Sequence, residues 1–267
     1  MIYSPLNTAS EFTTKLNEFI ELDGNWEVGL IEASFPADVE NVPDDCFYYV
    51  VYFTDRHSST VVLPRGVYGS VRVVLITLLT QQRKTLNLQG SNTKIILRKE
   101  SVTNHITLKI NDTATDVVGV RFSNNLAHML GFASNRTYDG REIYTSEHPV
   151  SLYEGLNLVY VYCDLLEQVL VGDTKAPLLR IINRTTSTKN NAVSHRSHAT
   201  FNPVRYVPLQ KKYFDTIAVK LITDVGERMP FVVGKSILVI EFRRYAHPIY
   251  CYKYVTRRYR QSFVVQT

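Results

Sequence analysis

Apolar and polar residues alternate with a period of two in many short runs of this chain, and that period predicts β-strands. From His105 onward, Ile106, Leu108 and Ile110 fall on one face and Thr107 and Lys109 on the other, the pattern of a strand buried on one side. Comparable runs cover Trp26–Phe35, Cys46–Phe53, Thr60–Leu63, Lys94–Arg98, Val117–Phe122, Leu156–Tyr162, Leu178–Asn183, Tyr213–Thr223 and Ile237–Phe242. Each is rich in β-branched or aromatic residues and is closed by Pro, Gly, Asn or Asp. A helical period appears twice. Val71, Val74, Leu75, Leu78 and Leu79 recur at three- and four-residue steps, with Gly69-Ser70 as the start and Gln81–Lys84 as a polar exit. A second, shorter helix is capped by Ser123, carries Leu126, Ala127, Met129 and Leu130, and stops at Gly131.

These elements predict an all-β fold, a single jelly-roll β-sandwich with one or two short helical insertions in its loops. The Cys-Trp-Cys spacing of an immunoglobulin domain is missing, and no internal repeat suggests a propeller or duplicated halves. Residues 1–244 are expected to form one domain with a long polar surface loop over about 183–200, and residues 245–267 a separate basic, tyrosine-rich arm. No Gly/Ser/Pro-rich linker divides the first 244 residues, and 267 residues suffice for one large β domain. The wealth of Tyr (17) and Phe (12) against 3 Met and 1 Trp suits sheet surfaces better than a helical bundle.

Charge sharpens the picture at one end. The net charge of +5 resides between Phe242 and Thr267, where Arg243, Arg244, Lys253, Arg257, Arg258 and Arg260 stand without any acidic residue. The remainder carries 24 basic and 25 acidic side chains and is nearly neutral. Tyr245, Tyr250, Tyr252, Tyr254 and Tyr259 alternate with these cations, which gives flat amphipathic surface for a protein partner and charge for phosphates. Tyr250, Tyr252 and Tyr254 keep a strand's period, so the arm is suited to adding a strand to a neighbour's sheet. The candidate contact residues are therefore Arg243, Arg244, Tyr250, Tyr252, Lys253, Tyr254, Arg257, Arg258, Tyr259 and Arg260. The simpler reading is a solvated tail that promotes solubility.

Catalytic chemistry finds little support. The chain has no GxSxG, P-loop, GxGxxG or HExxH pattern, so no catalytic, cofactor-binding or metal-ligating residue is assigned and no enzyme is expected. His195 and His198 are two histidines in a polar stretch, short of a zinc ligand set. Asp164 and Asp173 read more simply as turn residues than as an acid/base pair, and Asp224–Glu227 as a hairpin or loop closure. Trp26, at the head of a strand, reads as a core or interface anchor. The three cysteines, Cys46, Cys163 and Cys251, form neither a disulfide framework nor a CxxC pair, which points to a reducing compartment. The N-terminal residues lack a secretory pattern, so synthesis in the cytoplasm is expected and the Asn-x-Thr sequons at Asn111, Asn135 and Asn183 are chance matches. The longest apolar run, Val71–Leu79, is too short for a membrane span.

Four blocks of sequence carry a resemblance. Trp26–Pro36 (WEVGLIEASFP), Leu126–Phe132 (LAHMLGF), Tyr162–Arg180 (YCDLLEQVLVGDTKAPLLR) and Thr223–Arg244 (TDVGERMPFVVGKSILVIEFRR) resemble, in the same order, the minor capsid (penton) proteins of Polinton/Maverick elements and adintoviruses. The resemblance runs from about residue 20 to 245 and leaves out the basic arm and the 183–200 loop. It implies a homopentamer at the fivefold vertices of an icosahedral virion. Its partners would be further copies of itself, the surrounding double-jelly-roll major capsid protein and, through the arm, packaged double-stranded DNA. Asp139-Gly-Arg141 is not an Arg-Gly-Asp motif, so no integrin binding is expected. On the expectation that the arm only touches partners, deleting it leaves pentamers intact and blocks their incorporation into shells. Two other functions on the same fold are a glycan- or ligand-binding jelly roll acting as a monomer or small oligomer, and a cupin-like metalloenzyme, for which His195 and His198 have the wrong spacing.

Overall fold

Two of the most apolar runs, 200 residues apart, become neighbouring strands at the centre of one sheet. The computed structural model describes residues 6–89, 92–184, 196–244 and 260–266. In chain order the elements are β1 (Glu11–Glu21), β2 (Trp26–Pro36), β3 (Tyr48–Phe53), β4 (Ser58–Val62), α1 (Val71–Thr85), β5 (Ile95–Lys99), β6 (Ile106–Ile110), β7 (Val117–Phe122), α2 (Asn124–Leu130), β8 (Thr137–Asp139) and β9 (Ile143–Thr145). They continue with β10 (Leu158–Cys163), β11 (Val169–Val171), β12 (Thr174–Ala176), β13 (Leu178–Asn183), β14 (Arg196–Thr200), β15 (Tyr206–Pro208), β16 (Tyr213–Ile222), β17 (Ile237–Arg244) and β18 (Arg260–Gln266). Backbone contacts group them into two units, residues 1–39 with 155–267, and residues 40–154.

The first unit is a jelly-roll sandwich. One sheet has the order β1-β16-β10-β13 and the other β14-β2-β17-β18, with β15 also alongside β2. Pairing is antiparallel and nested. β2 pairs with β17 in one sheet, while β10, the unit's next long strand, pairs with β16 in the other. A two-stranded ribbon is thus wrapped across both sheets, as in a jelly roll. Alternate residues point inward, so Phe12, Leu30, Phe35, Val161, Ile217, Leu238, Ile240 and Phe242 are buried. Phe214 of one sheet stacks on Phe242 of the other with ring centroids 5.8 Å apart, which joins the two inner faces. Each such side chain contributes about 1.5–3 kcal/mol by leaving water.

The second unit is formed from the sheets β4-β3-β7-β8 and β5-β6-β9 with both helices. Tyr49, Val51, Leu78, Ile106, Leu108, Val120 and Leu126 share its core. Ser70 caps α1 by accepting from Val73 N, and Ser123 caps α2 by accepting from Leu126 N. Gly131 ends α2 with φ 82°, a left-handed conformation that lets Phe132 N donate to Ala127 O at 2.8 Å. Gln82 is the buried polar hub of this unit. Its Nε2 donates to Tyr49 Oη (2.9 Å) and Ile95 O (3.0 Å), and its Oε1 accepts from Lys94 N (2.7 Å) and Ile95 N (3.2 Å).

The structure adds β1 and several three-residue strands to the sequence reading, and differs from it in the division into domains, the expected loop and the expected arm. Where one domain is expected over 1–244, residues 40–154 cluster apart from the rest, and no Gly/Ser/Pro-rich stretch marks either junction. Within the expected loop over 183–200, residues 196–200 are β14, paired with β2 from Arg196↔Pro36 to Thr200↔Glu32. Its polar composition hides it, since only Ser197 is buried along Arg196–Thr200. Within the expected arm over 245–267, residues 260–266 are β18, an integral edge strand of the sandwich. Val265 of that strand is wholly buried.

Candidate partner surface

The basic residues of the C-terminal segment meet the start of β2 at one end of the second sheet. The ladder sets Arg243 opposite Glu27 and Arg244 opposite Trp26 on one side, and Arg243 opposite Arg260 on the other. Three of the candidate cations therefore share this end of the sheet. Arg243 is engaged within the unit. Its Nε and Nη2 both donate to Glu27 Oε2 at 2.8 Å, and its guanidinium lies 3.6 Å from the centre of the Tyr206 ring. The Tyr206 hydroxyl in turn donates to the buried Glu241 carboxylate. Glu27 is 13% exposed and Arg243 42%, so the pair contributes less than about 1 kcal/mol, and the stacking on Tyr206 adds to it. Arg244 is exposed and its guanidinium packs beside Gly24. Tyr250, Tyr252, Lys253, Tyr254, Arg257, Arg258 and Tyr259 lie outside the described residues.

A second feature lies where edge strands β1 and β18 come together. β1 loses register with β16 between Lys15 and Ile20, so residues 16–19 bulge out of the ladder. The bulge and β18 line a groove of about 590 Å³ that includes Leu16, Phe19, Ile20, Phe263 and Val264. Phe19, 61% exposed, stacks flat on Tyr213, 64% exposed, with centroids 5.1 Å apart. Val264 is half exposed. Exposed aromatic stacking beside an edge strand suits a protein contact better than chemistry. Sequence reasoning missed it because Glu11–Glu21 lacks a clean alternation, although Phe19-Ile20 between Glu18 and Glu21 is a visible apolar pair.

The other residues singled out in the sequence serve the fold. Asp164 Oδ1 accepts from Ala218 N at 2.8 Å and its Oδ2 pairs with Lys211 Nζ at 2.5 Å. Gly172, with φ 61°, turns the chain between β11 and β12, next to Asp173. Thr223 N donates to Glu227 O at 2.7 Å, so Asp224–Glu227 closes a tight turn. His198 Nε2 faces Glu32 Oε1 at 3.4 Å, and His195 lies outside the described residues. Trp26 Nε1 donates to Asp23 O at 2.9 Å. Cys46 is exposed, whereas burial pushes the Cys163 thiol up to about 12. No helix among the described residues is long and apolar enough to cross a membrane.

No protein-family model matches the chain, and no curated protein matches it. Among solved structures, the mavirus penton protein is similar, with a TM-score of 0.46 and 9% sequence identity over 84% of this chain and 86% of that one.

Proposed function

We propose that this protein is a minor capsid protein, a penton that closes the fivefold vertices of an icosahedral virion as a homopentamer and contacts a surrounding double-jelly-roll major capsid protein. The observation that carries the proposal is where the resemblance blocks fall. Trp26–Pro36 is β2, the end of Thr223–Arg244 is β17, and these two strands pair along their length at the centre of one sheet. Tyr162–Arg180 spans the end of β10, the β11–β12 hairpin and the start of β13 in the same unit. Sequence blocks 200 residues apart thus converge on one jelly-roll framework. A closed ring of five needs a head-to-tail interface made of two different patches. The Phe19–Tyr213 pair and its groove, which mixes Phe19, Ile20 and Phe263 with Lys15, Glu18 and Glu21, offer one candidate patch on the sandwich edge.

The basic end of the second sheet is assigned to the base of the pentamer, where it faces the major capsid protein or packaged double-stranded DNA. A DNA contact there would be blind to sequence and would weaken steeply with salt. Negative-stain electron microscopy of the purified protein tests the proposal: fivefold rings are expected, and single particles without fivefold symmetry at every concentration would overturn it. A second reading, a glycan-binding jelly roll, is favoured by the aromatic lining of the same groove. It predicts monomers that bind an oligosaccharide array and lose that binding in Phe19→Ala.

A further inference from the structure

The outer edge of β5 is closed at its first position and open at the next two. Among the described strands β5 pairs with β6 alone, and across that pair Lys94 O accepts from Asn111 N (2.8 Å) and Glu100 N donates to His105 O (2.9 Å). Hydrogen-bonded positions alternate along an antiparallel ladder, so Ile96 and Arg98 turn their backbone groups to β6 while Ile95, Leu97 and Lys99 turn theirs outward. The Gln82 side chain occupies the first outward position. Its amide donates to Ile95 O (3.0 Å) and accepts from Ile95 N (3.2 Å), as the peptide groups of a neighbouring strand would. Among the described residues nothing takes the equivalent place at Leu97 or Lys99. Beside this open edge lies a groove of about 260 Å³ between α1 and β5, whose walls include Leu75, Ile76, Leu79, Ile96, Leu97 and Arg98. Ile76 is 52% exposed, and Leu75, Leu79, Ile96 and Leu97 are half-buried.

An unpaired strand edge beside an apolar groove suits an extended peptide, whose main chain lengthens the ladder and whose alternate side chains fill the groove. Charge selects the occupant. Arg98 and Lys99 are exposed, and among the described residues no Asp or Glu pairs with either. Two copies of this edge set against each other would bring these cations together, and like charges across a ladder are destabilising. We propose that β5 and α1 form a docking site for an extended segment of a partner protein in which apolar residues alternate with acidic ones. Its main chain bonds the outward N–H and C=O groups of Leu97 and Lys99 and so continues the row that Gln82 begins. Ile95 and Leu97 face the core they share with Val74 and Leu78 of α1. The apolar residues of the segment therefore pack against Leu75, Ile76 and Leu79, and its carboxylates reach Arg98 on the opposite face of β5. The site lies within residues 40–154 and does not rest on the capsid reading.

The probe is a capped, fluorescein-labelled heptapeptide of alternating Glu and Val, mixed with increasing full-length chain and followed by fluorescence anisotropy. Half-saturation is expected on the order of 0.1 mM. A peptide with Lys in place of Glu, and the Glu peptide N-methylated at every amide, are expected to bind at least about tenfold more weakly. The first meets Arg98 with like charge, and the second has lost the donors of the ladder. Lys99→Pro removes one outward donor at an edge where proline is tolerated, and Ile76→Gln changes an exposed helical position. Each is expected to weaken binding about fivefold while the unfolding midpoint stays close to wild type, and Val118→Gln, outside the groove, keeps full binding. In the free chain, hydrogen exchange read by nuclear magnetic resonance is expected to be at least about tenfold faster at the Leu97 and Lys99 amides than at Ile96 and Arg98, and the Glu peptide is expected to slow the first two. No binding at about ten times the expected half-saturation, or equal binding by the N-methylated peptide, would overturn the proposal. Protection of Leu97 and Lys99 in the free chain that grows with its concentration would overturn it too, since a second copy would then be the occupant.

Discussion

Neighbouring residues Val264 and Val265 near the C-terminus should respond to truncation very differently. Val265 pairs with Leu238 and is fully buried, as Leu238 is, while Val264 is 50% exposed. Phe263 packs edge-on against Phe242 at 5.3 Å and holds the strand on the sheet. Val265→Ala removes two methyl-sized groups from the core, worth about 1.6 kcal/mol of transfer free energy at about 0.8 kcal/mol each. The cavity left behind raises the total to about 2 kcal/mol. Val264→Ala, with half its side chain in water, costs about 0.5 kcal/mol or less. Trp26 is the only tryptophan and lies on β2 in the same unit, so its fluorescence during urea unfolding reports on this sandwich. A difference of about 1.5 kcal/mol between the two variants is expected. Equal effects would refute the placement of β18 in the sandwich. The same packing means that deleting residues 245–267 unfolds or destabilises the sandwich, so the expectation of intact pentamers after that deletion does not hold. Removing charge with Arg244→Gln, at an exposed position, is the cleaner probe of partner contact.

Gly131→Ala puts a Cβ against the His148 carbonyl oxygen at a φ of 82°, and should cost about 3 kcal/mol or more, seen as a lowered midpoint in near-ultraviolet circular dichroism of the Tyr138 and Tyr144 environment. A loss under 1 kcal/mol would contradict the tight α2 stop. Gln82→Leu strands the Lys94 and Ile95 amides and the Tyr49 hydroxyl and should cost about 3 kcal/mol, whereas Gln81→Leu should be nearly neutral by the same measurement. Cys163, raised to about 12 from 9.0, keeps its proton in the folded sandwich while the unfolded chain releases it, so its stabilising effect is full below pH 9.0 and is lost as the pH climbs to about 12. Urea unfolding followed at Trp26 should therefore show stability falling by at most about 1.4 kcal/mol per pH unit in that window, and Cys163→Ala should flatten the slope; an unchanged slope would sink the assignment.

Strands with strict alternation were the easiest to read. His105–Ile110 and Cys46–Phe53 contain β6 and β3, which alternate buried and half-buried residues along their whole length, while Val117–Phe122 and Leu178–Asn183 coincide in bounds with β7 and β13 without that strict period. Both helix caps were legible too, since Ser123 and Gly131 act through local backbone geometry that the sequence specifies directly. β1, β14 and β18 were not legible as strands. In β1 only Phe12 and Thr14 are buried before the bulge breaks the period, and in β14 the buried residue is a serine. β18 lies beyond a cationic, tyrosine-rich stretch, and its pairing with β17 is a long-range contact with no local signature. The candidate surface was legible only as charge. Arg243 looked like a free cation, but Glu27 and Tyr206, far away in sequence, engage it. The Arg180–Phe201 contact likewise joins β13 to the residue just after β14, which no spacing rule anticipates.

The most direct measurement of the central claim is the solution mass of the purified protein by multi-angle light scattering, at several concentrations and at low and high salt. A subunit mass of 30.6 kDa predicts about 153 kDa for a closed ring of five, unchanged by salt because the ring is held by apolar contact. A mass of 30.6 kDa at every concentration and both salt levels would contradict the pentamer.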